Sequence, residues 1–268
     1  MVNIDKVEQK HFNTMKNSNI KAVIVDLDGT LLNNRKKITP YTEQTIREIK
    51  DSVRIIPASA RQFVRIEPYE KQLGIDNKDN YTICLNGAVV MRNDGEILFS
   101  QEIADETLLL LDSYMHTSGI EEWIVYTFDR KLDGLNITLP EQFYRENRVY
   151  KIVGISSEEK IQSARQSLPD DIRKGTEITS SEAGRIEFSA RGIRKTGSLE
   201  MLLNTLNIKA EEIAAIGDGE NDLDMICYAG IGIAMANAPE TVKKEADLVT
   251  EYTNDEDGVG YILKELLL

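Results

Sequence analysis

The chain has 268 residues, of which 41% are hydrophobic and 29% charged, the balance of a globular protein with one large or two modest domains. Lys and Arg total 32 against 45 Asp and Glu, and the net charge of -13 argues against binding to nucleic acid or to an anionic membrane. No apolar run approaches the roughly 18 residues that cross a bilayer. Residues 1–20 lack the apolar core of a signal peptide, so the expected location is the cytoplasm.

The first third of the chain alternates short apolar runs with helical composition. The apolar runs predict strands at 21–27, 53–57 and 81–85, and the composition of 42–51 predicts a helix. This alternation is typical of βαβ units and of a parallel sheet. Residues 1–19 are polar, which predicts a flexible arm.

The middle of the chain has a different order of predicted elements, in which strands follow one another with fewer helices between them. The pattern predicts a hairpin at 89–99, helices at 105–119 and 157–167, and strands at 121–128, 148–156 and 185–190. Pro169 ends the second of these helices. The segment from 87 to 187 is therefore predicted as an α+β lobe inserted into the α/β one.

The last third returns to the α/β pattern. Helices are predicted at 196–208, 223–230 and 239–246, and strands follow the apolar runs at 213–217, 230–236 and 247–250. The predicted fold is thus α/β, with a parallel-sheet core built from residues 1–86 and 188–268 and an inserted α+β domain at 87–187.

Two loops rich in aspartate follow predicted strands at distant points of the chain. Asp26 and Asp28 end the run VIVDLDGTLL, and Asp218 and Asp222 lie in GDGENDLD. A simple turn would explain the first loop alone, since Asp28-Gly29 is a common turn pair. The carboxyl ends of parallel strands meet at one edge of a sheet, so the four carboxylates can converge. Without a cation they would repel each other, which predicts a hard divalent ion, and Mg²⁺ fits best because it favours phosphate substrates.

Other loop types fit these sequences poorly. An EF-hand needs Gly at its sixth position and Glu at its twelfth, but counted from Asp26 these are Leu31 and Lys37. The second acidic loop fails in the same way. A dinucleotide loop also fails, because Asp222 stands at the last glycine position of the G-x-G-x-x-G pattern that starts at Gly217.

Cysteine and histidine chemistry is not expected. Cys84 and Cys227 lie in apolar surroundings and are predicted to be reduced core residues. Neither has an Arg six residues later, as a cysteine phosphatase requires. His11 and His116 have no partner at metal-ligand spacing, which disfavours a zinc site.

Four motifs in order along the chain resemble those of the haloacid dehalogenase (HAD) superfamily of phosphatases: DLDGT, PASAR, a lone Lys195, and GDGENDLDMI. The chain is most similar to the Cof-like branch, which carries an α/β type II (IIB) cap between the second and third motifs. Further phrases of that branch are LNGAVV, GIRKTGSLEMLL, AMANAPETVKKEAD and NDEDGV. The resemblance covers most of the core lobe and implies a Rossmann-like core with an inserted cap.

The resemblance also implies roles for the acidic residues. Asp26 would be the nucleophile that becomes an aspartyl-phosphate, and Asp28 the acid and then the base. Lys195 would neutralise Asp26 and the transferring group. Asp218 would bind Mg²⁺ directly beside Asp26 and the backbone carbonyl of Asp28, and Asp222 would be an outer metal ligand acting through water.

The same resemblance implies a set of residues around the phosphate. Ser59 would hold the phosphate, with Arg61, Asn86 and Gly87 beside it, and Asn221 would orient Lys195. Two other positions depart from the branch. Ala60 stands where Gly is usual in A-T-G-R, which could narrow the loop, and Thr196 stands where Gly is commoner. Ser59 can replace Thr, since the phosphate needs only a hydroxyl donor.

The predicted function is a Mg²⁺-dependent phosphatase of small phosphorylated metabolites, most of all sugar phosphates. Alternatives are a phosphotransferase or sugar-phosphate mutase with the same intermediate, a phosphatase of pyridoxal phosphate or FMN, and a non-catalytic phosphometabolite sensor. The intact Asp26/Asp28 pair disfavours the sensor. The expected partner is a small phosphate ester, and the expected state is a monomer or a weak homodimer.

The substrate is expected to be selected by the inserted segment, which is large enough to cover the cleft and exclude water. Candidate contacts are Trp123, Tyr126, Arg130, Tyr144 and Arg145. Strand alternation allows only some of them to face the cleft.

Overall fold

A computed structural model describes residues 19–133, 141–180 and 183–268, so the arm predicted at 1–19 lies almost wholly outside the described residues. Its strands, in chain order, are β1 (Ala22–Val25), β2 (Arg54–Pro57), β3 (Tyr81–Cys84), β4 (Val89–Arg92), β5 (Ile97–Ser100), β6 (Glu122–Thr127), β7 (Lys131–Leu132), β8 (Val149–Ile155), β9 (Thr176–Thr179), β10 (Arg185–Ala190), β11 (Ile213–Gly217), β12 (Ile231–Ala234) and β13 (Leu248–Val249).

The α-helices are generally longer than the strands, and several short 3₁₀ turns connect them. In chain order the helices are α1 (Pro40–Ile49), α2 (Glu67–Leu73), α3 (Asp105–Thr117), α4 (Glu141–Glu146), α5 (Glu158–Ser167), α6 (Asp170–Gly175), α7 (Lys195–Leu206), α8 (Leu223–Tyr228), α9 (Glu240–Lys243) and α10 (Gly258–Leu267). No helix in the described part of the chain combines the length and the apolar composition needed to cross a membrane.

The core is a five-stranded parallel sheet in the order β13-β12-β11-β1-β2. Strand β1, which lies between β11 and β2, has the sequence AVIV and is buried along its whole length, as expected where helices cover both faces of a parallel sheet. Pro40 stands in the first turn of α1, where its missing N–H costs nothing, and α1 packs on α10. The predicted α/β class with a parallel-sheet core is confirmed.

A second, antiparallel sheet has the order β7-β6-β8-β10-β9 and lies within the middle of the chain. The predicted hairpin at 89–99 does not join it. Strands β4 and β5 pair instead with β3 in a three-stranded antiparallel sheet, and Ala58 and Ile83 form a parallel bridge beside the core sheet. The lobe bounds of 87–187 remain a prediction.

One prediction from local sequence needs correction. Cys84 is buried as expected, but Cys227 is exposed, because it lies on the outer face of the short helix α8. The helix predicted at 157–167 does end before Pro169, yet a second helix, α6, starts directly after that proline. Proline is well tolerated just before the first turn of a helix, so it can separate two helices.

Glu70 on α2 is a buried carboxyl group away from the acidic loops. The Thr82 hydroxyl donates a hydrogen bond to its Oε1, while Oε2 has no partner among the described residues. Burial raises the pKa of Glu70 from 4.5 to about 7. The raised pKa of Glu70 therefore adds to the free energy of unfolding. This contribution is complete below pH 4.5 and is lost as the pH rises through about 7.

We expect Glu70→Gln to remove this pH dependence, because the amide stays neutral and keeps the oxygen that Thr82 contacts. Relative to the wild type, the variant should gain up to about 3 kcal/mol of unfolding free energy between pH 5 and pH 8. Urea denaturation at the two pH values measures this gain, and Glu48→Gln on the exposed face of α1 is the control. An equal pH dependence in both proteins would contradict the prediction.

Candidate active site

Asp26 and Lys195 form a buried ion pair at the carboxyl end of the parallel sheet. Asp26 directly follows β1, and Lys195 is the first residue of α7. Lys195 Nζ donates to Asp26 Oδ1 at 2.6 Å and to Asp222 Oδ1 at 2.5 Å. The Lys195 side chain is 1% exposed, so water competes little for these contacts.

Asp222, in the second acidic loop, contacts both Lys195 and the backbone of its own loop. Its Oδ2 accepts hydrogen bonds from the backbone N–H of Asp218 at 3.1 Å and of Gly219 at 2.9 Å. Because both of its oxygens already have donors, Asp222 is better suited to orient Lys195 and the loop than to bind a metal directly. The outer position at a metal ion stays a prediction for Asp222.

Asp218 lies beside the loop that follows β1. The Thr30 hydroxyl donates to Asp218 Oδ1 at 2.9 Å, and Asn237 Nδ2 donates to Oδ2 at 3.4 Å. Gly29 has φ of +86°, and a Cβ there would come within 2.3 Å of Asp218 Oδ2. Gly29 therefore allows the turn and leaves space for the Asp218 carboxylate. The loop is thus a turn, as its Asp28-Gly29 pair suggests, and it also lies beside the acidic cluster.

The three acids form a set of oxygens that fits a small divalent cation. One oxygen from each of Asp26, Asp218 and Asp222 lies within 4.8 Å of the others. Burial and the charge of Asp222 raise the pKa of Asp218 to about 6, and the same two causes raise the pKa of Asp26. A bound dication would remove this repulsion, and hard carboxylate oxygens are the ligands that Mg²⁺ prefers.

Lys195 stays charged in this setting. Burial acts to lower the pKa of Lys195, but the charges of Asp222 and Asp26 more than compensate and raise it above its ordinary value. The centre therefore contains one permanent cation between two carboxylates.

Asp28 is held apart from the other acids by two cations. Arg61 Nε and Nη2 donate to its two oxygens at 2.6 Å each, and Lys36 Nζ donates to Oδ1 at 2.7 Å. Burial acts to raise the pKa of Asp28, yet these hydrogen bonds lower it below its ordinary value. In this arrangement Asp28 is ionised and suited to accept a proton.

Ser59 lies at the end of β2, in the loop that continues to Arg61. It is 1% exposed, and its Oγ accepts a hydrogen bond from the Arg61 N–H at 3.2 Å. Its backbone bonds to the strand β3 region, with Ser59 N–H donating to Ile83 O and Asn86 N–H donating to Ser59 O. The second motif is thus fixed against the turn that contains Asn86.

Asn86 and Gly87 form a strained turn, with φ of 57° and 97°. A Cβ on Gly87 would come within 2.5 Å of the Arg194 carbonyl oxygen, so glycine is required there. Asn86 Nδ2 donates to Glu187 at 3.4 Å, and its Oδ1 accepts from Asn221 at 3.5 Å. The hydrogen bond described for Asn221 thus goes to Asn86, whereas Asp26 and Asp222 orient Lys195.

A cavity of about 410 Å³ opens over these groups, between the parallel sheet and the second sheet. Asp26, Asp28, Ser59, Arg61, Asp218 and Asn221 line it, whereas Asn86 lines a neighbouring cavity of about 280 Å³ together with Lys195. Six of the ten candidate site residues thus line the first cavity, Lys195 and Asn86 line only the second, and Gly87 and Asp222 line neither.

The second sheet contacts the loop of residues 58–62, which contains the second motif, directly. Lys151 on β8 donates to the Ala60 carbonyl at 3.0 Å and to Glu187 at 3.4 Å, and its Nζ lies 4.8 Å from the centre of the Tyr126 ring. Gln62 Nε2 donates in return to the carbonyl oxygens of Thr127, at 2.8 Å, and Arg130, at 2.9 Å. These buried contacts join the two sheets at the loop of the second motif.

Of the aromatic and basic candidates in the middle segment, Tyr126 lines the cavity. Trp123 is 2% exposed and stacks on Phe188 within the core, and the buried Tyr144 hydroxyl donates to Asp112 at 2.7 Å. Arg130 and Arg145 are exposed and are not among the lining residues.

Sequence reasoning missed several residues of the cavity wall, among them Lys36, Arg65, Lys151, Arg185 and Glu187. The sequences of β8 and β10 could have indicated two of them, because each has one charged residue inside an otherwise apolar run. A buried charge of this kind requires a partner. In the structure Lys151 and Glu187 are 4% and 3% exposed, and they form an ion pair at 3.4 Å.

The family model of haloacid dehalogenase-like hydrolases matches residues 23–263. The chain belongs to this family. The resemblance found in the sequence is thereby confirmed, and this haloacid dehalogenase-like hydrolase is a phosphatase. Enzymes of the superfamily generally use a divalent metal and act on small phosphorylated substrates, and the cluster of three aspartates is the corresponding feature here.

Two Bacillus subtilis relatives and one solved structure illustrate the similarity. Phosphatase YwpJ is 28% identical over 293 residues, covering 92% of this chain and all (100%) of the relative. The 5-amino-6-(5-phospho-D-ribitylamino)uracil phosphatase YcsE is 27% identical over 252 residues, covering 93% of this chain and 96% of the relative. A haloacid dehalogenase-like hydrolase from B. subtilis superimposes with a TM-score of 0.82 at 26% identity, covering 92% of this chain and 100% of that chain.

Proposed function

We propose that this phosphatase is a Mg²⁺-dependent hydrolase of small phosphorylated metabolites, sugar phosphates first among them, and that it works through an aspartyl-phosphate. The observation that carries the proposal is the pairing of Asp26 with Lys195 at 2.6 Å, in the wall of a cavity that Asp28 also lines. Similarity to YcsE, whose name specifies a phosphorylated ribityl compound, supports a polyol or sugar phosphate as the substrate class.

In the first step a carboxylate oxygen of Asp26 attacks phosphorus, and the bond between phosphorus and the leaving oxygen breaks. Lys195 favours the ionised form of Asp26, acting against burial and the charge of Asp222, and stabilises charge on the transferring group. When the phosphoryl group arrives and the contacts of Asp28 with Arg61 and Lys36 loosen, Asp28 takes up a proton from solvent and then donates it to the leaving oxygen. The ionised Asp28 then takes a proton from water, which attacks phosphorus and frees Asp26 and inorganic phosphate.

The site has the residues to hold Mg²⁺. Asp26, Asp218 and the backbone carbonyl of Asp28 would bind it, and Asp222 would act from outside. When bound, the ion supplies positive charge that offsets the phosphoryl oxygens and the net charge of -13 on the protein. We further propose that the second sheet forms a cap over the cavity, within the bounds of 87–187, and that it selects the substrate.

We expect EDTA to remove phosphatase activity and Mg²⁺ to restore it. Asp218→Ala should raise the Mg²⁺ concentration required for half-maximal activity by about tenfold or more, because the aspartate faces the other two acids directly. The measurement is phosphate release from a panel of metabolite phosphates during a Mg²⁺ titration.

Asp129→Ala, in an exposed turn of the second sheet, is the control and should leave the Mg²⁺ requirement unchanged. Full activity in EDTA, in protein shown by elemental analysis to be free of metal, would contradict the metal proposal. Absence of phosphate release from every member of the panel would contradict the phosphatase substrate class proposed here.

A further inference from the structure

The loop of the second motif is held from two sides through three successive carbonyl groups. Backbone N–H groups of the turn at 85–86 donate to the carbonyl oxygens of Ser59, at 3.0 Å, and Arg61, at 2.9 Å. The Ala60 carbonyl between them accepts instead from Lys151 Nζ, at 3.0 Å. The turn after β3 therefore holds both flanks of the loop, and the second sheet holds its middle.

Gln62, at the end of this loop, contacts the second sheet in the opposite direction. Its Nε2 donates to the carbonyl oxygens of Thr127, at 2.8 Å, and Arg130, at 2.9 Å, in the turn that joins β6 to β7. Gln62, Thr127 and Lys151 are all buried, so water is a poor substitute for these bonds. The loop and the second sheet thus exchange hydrogen bonds in both directions.

Lys151 is itself fixed by its neighbours in the second sheet. Its Nζ pairs with Glu187 at 3.4 Å and lies 4.8 Å from the centre of the Tyr126 ring. Tyr126 and Glu187 belong to β6 and β10, the two strands on either side of β8. The ammonium group therefore has a defined position, and so does the carbonyl group that it contacts.

The two residues on either side of Ala60 act at the phosphoryl end of the site. Ser59 has the proposed role of holding the phosphate, and Arg61 contacts both oxygens of Asp28. A shift of the loop would move both side chains, and a misplacement of about 1 Å can cost roughly 100-fold in rate. The contacts from the second sheet thus affect the chemical step, although they are made to backbone carbonyl groups.

We infer that Lys151 and Gln62 are positioning residues, which fix the loop of the second motif in its reactive position beneath the second sheet. Loss of either contact frees the loop and slows the reaction equally for every substrate, because the loop serves the phosphoryl end that all substrates share. This inference rests on the proposed roles of Ser59 and Asp28.

Gln62→Met is the first test, because it removes the donor with little change in side-chain length and none in charge. We expect kcat/KM to fall about tenfold or more, by one common factor for all members of the panel that the wild type hydrolyses. Tyr114→Phe is the matched control. The buried Tyr114 hydroxyl also donates to a backbone carbonyl, that of Ala164 at 2.8 Å, but it does so between α3 and α5. Both variants should lower the melting temperature, and only Gln62→Met should lower kcat/KM.

Variants of Lys151 test the other contact of the same loop. Lys151→Arg keeps N–H donors for the Ala60 carbonyl and for Glu187, and it should retain most of the activity. Lys151→Met is combined with Glu187→Gln, so that the buried ion pair is removed as a whole, and Glu187→Gln alone is its reference. We expect the combination to lose kcat/KM by about the same factor as Gln62→Met. When Gln62→Met is added, the total loss should be smaller than the product of the two factors, since the loop is freed only once.

Hydrogen exchange measures the loop without turnover. The Arg61 N–H donates to Ser59 Oγ and the Asn86 N–H donates to the Ser59 carbonyl, so both amides report on the loop. In Gln62→Met we expect them to exchange about tenfold faster or more, while the amides of β1 keep their wild-type rates. Tyr114→Phe should leave both sets unchanged.

Wild-type kcat/KM in Gln62→Met would overturn the inference, and so would an equal loss in Tyr114→Phe, since stability alone would then explain the effect. A loss in the Lys151 variants that differs between substrates would also overturn it, because Lys151 would then bind the leaving group. If the wild type hydrolyses no member of the panel, the proposed function fails on its own, and the exchange rates decide whether the second sheet fixes the loop. Gln62→Asn, whose shorter amide is drawn back from the turn, takes the place of a Gln62→Met protein that does not fold.

Discussion

Asp26→Asn is expected to lower kcat for phosphate release by about 10³-fold or more, because an amide oxygen is too weak a nucleophile to attack phosphorus. The fold should survive the change. The carbonyl oxygen of the new amide can still accept the hydrogen bond from Lys195, and the variant removes a buried charge that burial and Asp222 already disfavour. Phosphate release under single-turnover and steady-state conditions, with Mg²⁺ saturating, measures the loss.

Asp129→Asn is the matched control, since it makes the same acid-to-amide change at a site that is 69% exposed. It should retain wild-type kcat. If Asp26→Asn kept more than a few per cent of wild-type turnover, with deamidation excluded by mass spectrometry, the aspartyl-phosphate mechanism would be wrong.

Lys195→Met should both abolish activity and destabilise the protein. The lysine is 1% exposed and is bonded to Asp26 and Asp222, whose side chains are 7% and 1% exposed. Removal of one partner from a buried ion pair leaves uncompensated charge and costs about 3–5 kcal/mol. Urea denaturation in EDTA, where no metal can replace the lost cation, should show this decrease in unfolding free energy.

The destabilisation by Lys195→Met should shrink at low pH, because burial raises the pKa of Asp26 and its protonation removes an unpaired buried charge. Lys160→Met, which removes an exposed lysine paired with Glu121, should leave the unfolding free energy close to that of the wild type. A Lys195→Met protein as stable as the wild type in EDTA at neutral pH would show that the buried pair does not stabilise the fold.

Local sequence was enough to predict the core of the fold. The apolar runs before Asp26 and Asp218 are short, continuous and bounded by loops, and both are buried strands of the parallel sheet, β1 and β11. Since β1 and β11 are neighbours in register, the residues that follow them are brought together by sheet geometry alone. That is why Asp26 and Asp218 could be assigned to one site without coordinates.

Pairing between distant segments could not be predicted in the same way. The hairpin at 89–99 was expected within the inserted lobe, but it pairs with β3, because strand partners depend on packing rather than on the turn at Asp94-Gly95. Cys227 has apolar neighbours in sequence and is nevertheless exposed, since the short helix α8 buries the opposite side, at Met225 and Ile226.

The sequence by itself determined the family and the candidate reacting groups, because DLDGT, Lys195 and GDGENDLDMI combine characteristic residue types with positions at strand ends. Only the tertiary structure decided the environment of those groups. Arg61 and Lys36 form ion pairs with Asp28, Asp222 accepts a hydrogen bond from Lys195, and Arg65, Lys151, Arg185 and Glu187 line the cavity. These contacts join residues far apart in the chain, and their energies depend on burial and distance, which no stretch of sequence contains.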